Sequence, residues 1–232
     1  MMWAGETAVI IPALNEAGNI GGLVRECREL AVSEIVVVDN GSNDGTGEVA
    51  LEAEAVVIRE KRQGYGFACA AGAAAATSKY LVFLDGDYSS LPSEMGRLVE
   101  PLVEGTADLV LGSRVLGHIT PGAMPPHQRF GNWLSSGLMR QLYGIPVTDL
   151  GPYRAITAEL LQLLDMQEMT FGWPTEMMVK AAKQGARMIE VPVSHQARKS
   201  GRSKVSGTVR GSILAAYYIL GVTLKYALMR RK

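Results

Sequence analysis

The 232-residue chain is short of three things: it has two cysteines, no net charge, and no acidic residue after Glu190. Cys27 and Cys69 form neither a metal nor a redox pattern, and in their helix-like surroundings both read as small buried hydrophobes. The balance of 23 basic against 23 acidic side chains argues against a nucleic-acid binder. The start, Met1 to Thr7, lacks a basic region followed by a long apolar run, so no signal peptide is predicted and a cytoplasmic location is expected. His118, His127 and His195 match no zinc spacing and are expected to be solvent-exposed or hydrogen-bonded. No Gly-x-Gly-x-x-Gly follows the first predicted strand. Pro12-Ala13-Leu14-Asn15-Glu16-Ala17 stands there instead, which sets aside a dinucleotide-dependent oxidoreductase. No internal repeat is present.

Apolar residues, by contrast, make up 47% of the chain, enough for a full α/β core in one large domain. Strands are predicted at Ala8–Ile11, Ile35–Val38, Val56–Ile58, Tyr80–Leu84 and Asp108–Leu111, short continuous apolar runs that suit burial on both faces. Between the first two, Ile20, Leu23, Val24, Cys27 and Leu30 recur at helical spacing, with Arg25, Glu26, Arg28 and Glu29 opposite. The alanine-rich run Ala68–Ser78 predicts a tightly packed helix. Such alternation means a mostly parallel sheet, whose ligands bind beyond the carboxyl ends of its strands. The glycine- and proline-rich stretch Leu116–Arg129 is expected to be irregular, a loop long enough to gate a site. Helices resume at Phe130–Tyr143, Thr157–Leu164 and Thr175–Gln184, and a last strand is predicted at Met188–Val191.

The C-terminal end is basic and apolar. Arg198, Lys199, Arg202, Lys204, Arg210, Lys225, Arg230, Arg231 and Lys232 are followed by no acid, an asymmetry that suits either a solvated tail or contact with phosphates or a membrane surface. Gly211–Met229 is apolar apart from Ser212, Thr223 and Lys225. A spanning helix needs roughly 20 apolar residues. With a lysine inside, this segment is expected to pack on the domain or lie at a bilayer interface, its terminal basic residues at headgroup level. Two chains could also pair through it. The expected division is a catalytic domain over 1–207 and a C-terminal helix over 208–232.

Three strand ends carry polar residues in order. Asp85-Gly86-Asp87 follows the strand at Tyr80–Leu84; two carboxylates there suit Mg²⁺ or Mn²⁺, and Gly86 admits a ligand close to the backbone. Asp39-Asn40-Gly41-Ser42 through Asp44-Gly45-Thr46 offers an acid for a nucleobase or ribose, turn residues tolerant of positive φ, and Thr46 as a cap for the next helix. Pro12-Ala13-Leu14-Asn15-Glu16 offers Asn15 as a helix cap and Glu16 in the first turn. Each alone is also an ordinary strand–turn–helix connection.

In conjunction they resemble the inverting, metal-dependent glycosyltransferases of the GT-A fold, in particular the polyprenyl-phosphate (dolichol-phosphate) mannose and glucose synthase branch. The resemblance continues through Arg62-Gln63-Gly64-Tyr65-Gly66, Gly112-Ser113-Arg114, Asp149-Leu150-Gly151-Pro152-Tyr153-Arg154, Glu190-Val191-Pro192-Val193, and Arg198 with Gly201-Arg202-Ser203-Lys204. It covers about Ala8 to Gly207. It implies a three-layer α/β fold with helices on both faces of a mostly parallel sheet. Pro12, Leu14, Glu16 and Asp39 would line the nucleotide, with Arg62, Gly64 and Gly86 alongside. Asp85 and Asp87 would hold the metal against the donor diphosphate, Arg114 and Arg129 would face the donor sugar and acceptor phosphate, and Arg198, Arg202 and Lys204 would close over the diphosphate. Two positions depart from the pattern: Tyr88-Ser89-Ser90 follows the acid pair where a glutamine or other polar metal contact is expected, and Asn132 stands where a serine is expected.

The expected reaction moves a hexose from a nucleoside diphosphate to a polyprenyl phosphate at the inner face of the cytoplasmic membrane. Such an acceptor is already an anion and needs no strong base. A hydroxyl acceptor, soluble or polysaccharide, would need a carboxylate, for which Glu176 is the first candidate and Asp149 the second. Outside the enzymes, the rival is a catalytically silent nucleotide-binding module.

Overall fold

The structure is a computed structural model that describes residues 3–201 and 209–228. Among these residues seven strands form one sheet: β1 (Thr7–Ala13), β2 (Glu34–Asp39), β3 (Val56–Arg59), β4 (Tyr80–Phe83), β5 (Leu109–Ser113), β6 (Arg154–Thr157) and β7 (Met188–Pro192). Their order is β3-β2-β1-β4-β6-β5-β7. Every pairing is parallel except those of β6, which runs antiparallel to both β4 and β5. The carboxyl ends of the six parallel strands and the start of β6 therefore share one edge.

Among the described residues eight α-helices cover the two faces: α1 (Ala17–Glu29), α2 (Thr46–Glu52), α3 (Tyr65–Ala75), α4 (Met95–Val103), α5 (Pro126–Tyr143), α6 (Ala158–Leu164), α7 (Trp173–Lys183) and α8 (Val209–Leu228). Strand side chains alternate between two cores. Val9, Ile11, Val37 and Val82 pack with Ile20, Leu23 and Val24 of α1, Ala50 of α2, and Leu98 and Leu102 of α4. Ala8, Ile10, Leu81 and Phe83 pack with Met139 of α5, Leu160 of α6, Met177 of α7, and Val222 and Tyr226 of α8. This is the three-layer arrangement expected of strands apolar on both sides. The alanine-rich α3 lies tight on the sheet: a Cβ on Gly72 would stand 2.4 Å from Ile10 Cγ2.

Several boundaries differ from the sequence reading. The stretch Leu116–Arg129 is irregular only to Pro125. Pro126–Arg129 is the first turn of α5, with Pro126 where a helix tolerates a missing N–H. Strand β6 was not predicted, nor was α4, whose Pro101 interrupts an otherwise regular apolar spacing of Met95, Leu98, Val99 and Leu102. Thr46 does not cap α2. Gly45, at φ 88°, holds the cap position, and the Thr46 hydroxyl accepts the Glu16 N–H instead (2.8 Å). Asn15 does not cap α1 either. Its φ is 53°, its side chain accepts the Asn43 N–H (2.9 Å), and Glu16 is the residue at the cap.

The C-terminal helix α8 packs against α5 and α7. Val222, Thr223 and Tyr226 are buried, whereas Tyr217, Leu224 and Leu228 face solvent. No helix among the described residues is long and apolar enough to cross a membrane.

Candidate active site

The common strand edge opens into a cavity of about 650 Å³. Its wall begins at the end of β1 with Pro12, Leu14 and Glu16. The loops after β1 and β2 are laced together, because Asn15 N–H donates to the Ser42 hydroxyl (2.9 Å) and Ala17 N–H to Asp44 (3.1 Å). Asn40 enters the wall beside them. Its amide donates to the carbonyls of Glu60 (3.0 Å) and Arg62 (2.7 Å) and accepts the Gly64 N–H (2.9 Å), so one side chain fixes the loop that carries Gln63 and Gly64 into the cavity. Gly64 is required by space, since a Cβ there would meet the Met169 carbonyl oxygen at 2.5 Å.

Asp85, Gly86 and Asp87 line the floor. Tyr65, the first residue of α3, donates its hydroxyl to Asp85 (3.0 Å), and Asp87 accepts the Ser89 N–H (2.9 Å). Burial and the neighbouring Asp87 push the Asp85 carboxyl up to about 7. A pair of acids held this close in a low-dielectric recess favours a cation between or beside them. The chain supplies a stand-in, for the Arg198 guanidinium lies 3.4 Å from Asp87 and also pairs with Glu16. The residues present thus fit a hard divalent ion. No cluster of three metal-ligating side chains occurs among the described residues, so such an ion would complete its shell from diphosphate oxygens and water, as Mg²⁺ commonly does.

At the end of β5, Arg114 reaches the wall held by Asp149. Asp149 accepts from Arg114 Nε (2.7 Å), Nη2 (2.7 Å) and backbone N–H (2.8 Å). Burial opposes the Arg114 charge, but Asp149 outweighs it and raises the pKa above the usual arginine value. Asp149 is positioned in turn by Glu190 on β7, which accepts its N–H (3.0 Å) and that of Thr148 (2.9 Å). Asn132 is a second strut, donating to the Thr148 carbonyl and accepting the Leu150 N–H, both at 3.0 Å.

The expected site residues therefore divide. Pro12, Leu14, Glu16, Gly64, Asp85, Gly86, Asp87, Arg114 and Arg198 share the cavity. Asp39 lies behind the wall, its carboxylate accepting the Ser42 N–H (2.8 Å). Arg62 turns to solvent, paired with Glu60 and stacked on Phe67. Arg129 is exposed on α5 and donates to the Met124 carbonyl (3.2 Å). Glu176 does not reach the cavity at all. It is fully buried, and its carboxylate accepts from Gln167 N–H (2.9 Å), Glu168 N–H (2.7 Å) and Tyr226 (2.5 Å) and pairs with Lys180 (3.1 Å). That commitment overturns its reading as a general base, and the grip of Asp149 on Arg114 does the same for the second candidate. Arg202 and Lys204 lie outside the described residues.

Other wall residues were not anticipated as such. His195 lines the cavity, and burial together with nearby Arg114 lowers its pKa, so the ring is neutral near pH 7. Phe171, Leu214 and Tyr218 add apolar surface to the lining, and the last two come from α8. The apolar C-terminal run was the available signal for α8, but its position over the cavity is a tertiary fact.

Residues 8–180 match the family described as Glycosyl transferase family 2. An uncharacterized glycosyltransferase of Mycobacterium tuberculosis is 38% identical over 209 residues, covering 89% of this chain and 93% of that protein. The undecaprenyl-phosphate mannosyltransferase of Micrococcus luteus is 30% identical over 240 residues, covering 96% and 97%. Among solved structures, the glucosyl-3-phosphoglycerate synthase of Mycobacterium tuberculosis, in complex with Mn²⁺, UDP and phosphoglyceric acid, superimposes with a TM-score of 0.79 at 21% identity, covering 97% of this chain and 79% of that one. That likeness speaks for the fold.

Proposed function

The chain belongs to glycosyl transferase family 2, and from that premise we propose that it transfers a hexose, with inversion, from a nucleoside diphosphate sugar to a polyprenyl phosphate. The observation that carries this reading is one cavity whose lining combines the Asp85–Asp87 pair, Arg114 and Arg198 with the apolar side chains of Phe171, Leu214 and Tyr218. The polar part suits a diphosphate and the apolar part a prenyl chain.

Pro12, Leu14 and Asn40 would receive the nucleoside. Asp85 and Asp87 would hold Mg²⁺ or Mn²⁺, which supplies Lewis-acid neutralisation of the diphosphate. As the anomeric bond breaks, negative charge grows on the leaving diphosphate, and preorganised cationic groups stabilise such charge without reorganising. Arg114, locked by Asp149, is preorganised in this sense, and Arg198 stands at the same rim. The acceptor phosphate needs placement opposite the leaving group rather than deprotonation. Glu176 and Asp149, the two carboxylates weighed as a base for a hydroxyl acceptor, are both held in other contacts, which supports an acceptor that needs no base from either. Contact with the inner face of a membrane would follow from the exposed apolar residues of α5 and α8.

The test offers radiolabelled UDP-glucose, UDP-GlcNAc and GDP-mannose with a polyprenyl phosphate, in Mn²⁺ or in EDTA. Label entering the organic phase from one donor, and only with metal, is the expected result. Donor hydrolysis without lipid product would replace the acceptor by a soluble one. A chain that consumes no donor would be a silent binding module.

A further inference from the structure

Tyr88 follows the acid pair with φ at 65°, a backbone region that costs a bulky residue free energy and persists where the surroundings enforce it. The side chain is nevertheless 3% exposed and well held. Its hydroxyl donates to Glu26 on α1, and its ring lies on Gly22, where a Cβ would come within 3.3 Å of it. One turn earlier on the same helix face, Gly18 leaves room for Ser200, whose hydroxyl oxygen would be 2.8 Å from a Cβ there. Gly18 and Gly22 are two of the three glycines of α1, and each weakens the helix by intrinsic propensity. Here both are explained by what packs on them. The Ser200 carbonyl accepts from Asn19 (3.2 Å), and Lys199 Nζ sits 3.7 Å from the centre of the Tyr88 ring. Between these anchors and β7 lies Arg198, on Glu16 and Asp87.

We infer that Tyr88 is a positioning residue of the metal-free site: its ring seats Lys199 and thereby holds Arg198 across Glu16 and Asp87, where the guanidinium would compete with a divalent ion for Asp87. A glycine at this turn would satisfy the backbone better, so the strain at Tyr88 is retained for its ring. The ring touches no wall of the cavity and acts through Lys199 and Arg198. The inference rests on the metal-dependent reading above, but its first readout does not depend on activity.

Trypsin cuts after Arg198 and Lys199, and cleavage of a held segment follows the population of its open form. In the full chain, Tyr88→Gly and Lys199→Met are each expected to speed cleavage after Arg198 about three- to tenfold, the worth of one cation–π contact, while Tyr88→Phe keeps the wild-type rate. Mn²⁺ alone should have the same loosening effect on the wild type. Free-Mn²⁺ titration by electron paramagnetic resonance should find Tyr88→Gly binding the ion at least as tightly as wild type, because a competing guanidinium has been released. Unchanged cleavage in both variants would overturn the inference. So would weakened Mn²⁺ binding by Tyr88→Gly at unchanged cleavage, which would mean that Tyr88 shapes only the acid turn. Failure to transfer sugar to any acceptor would count against the proposed reaction and leave the cleavage result standing.

Discussion

Arg114 and Asp149 meet in a two-pronged pair, Nε to Oδ2 and Nη2 to Oδ1 both at 2.7 Å, with the Asp149 side chain sealed from solvent and Arg114 open to the cavity. A paired guanidinium of this kind is aimed rather than free, since planar fork geometry admits one arrangement. Asp149→Asn leaves the volume but removes the countercharge and turns one acceptor into a donor. The expected outcome is a kcat about 10- to 100-fold lower, as for misplacement of a charge-stabilising group, with a stability loss of about 3 kcal/mol for breaking a buried pair. Steady-state kinetics and urea unfolding of the same variant check both.

Asp87 has one oxygen on the Ser89 N–H and the other toward Arg198. Asp87→Ala is expected to abolish metal-dependent turnover, on the order of 1,000-fold, because the developing diphosphate charge loses its stabiliser. Turnover that survives in Asp87→Ala and still responds to EDTA would refute the assignment of this acid to the metal.

Much of this site was readable because parallel strands buried on both faces are continuous apolar runs and end in polar residues on one edge. Ile35–Asp39 and Tyr80–Asp85 are such runs, and both end in an acid at that edge, although Asp85 lines the cavity whereas Asp39 accepts the Ser42 N–H behind its wall. What escaped was set by tertiary contact. The four residues of β6 open with Arg154, a charge that no strand pattern predicts, yet it is buried with its guanidinium donating to the carbonyls of Pro174 (2.8 Å) and Gly151 (2.5 Å). Because β6 runs antiparallel, the segment before it carries Asp149 and Pro152 to the active edge. Glu176 looked like a free acid in a first helical turn. The backbone of residues 167–168 and the hydroxyl of Tyr226, 50 residues further on, consume it.

Glu176 carries a pH prediction. Burial alone would raise its pKa, but hydrogen bonds from Tyr226, the Glu168 N–H, Lys180 and the Gln167 N–H bring it below the ordinary value of 4.5. A folded-state pKa below the unfolded one contributes stability that is fully present above the unfolded value and lost as pH falls through the folded value. Glu176→Gln should therefore destabilise by about 1–3 kcal/mol at pH 7, with the gap to wild type closing below pH ~4. It should leave kcat per folded molecule unchanged. Urea midpoints across that range test the first statement, and a kcat loss at full folding would return Glu176 to the chemistry.

Phe130 and Trp133 are 62% and 63% exposed on α5, their rings 5.9 Å apart. Helix α5 packs against α8, where Tyr217 is 70% exposed and Leu214 both lines the cavity and faces solvent. Clustered exposed aromatics are costly in water and suit a bilayer interface, where the ring edge meets headgroups and the body meets acyl chains. In the sequence Arg230-Arg231-Lys232 follow, and such basic residues would add attraction to anionic lipid. Phe130→Ser with Trp133→Ser should lower partition onto vesicles of mixed anionic and neutral lipid at least about tenfold, since burial of each ring is worth roughly 1.5–3 kcal/mol. Transfer to a short, water-dispersed polyprenyl phosphate should be unaffected, because neither ring lines the cavity. Vesicle sedimentation and the two-phase assay separate these effects. If wild-type protein ignores vesicles and the double variant instead shifts the sedimentation coefficient of the free protein, the patch pairs two chains, and access of the lipid to Leu214 and Tyr218 must be explained from within that dimer.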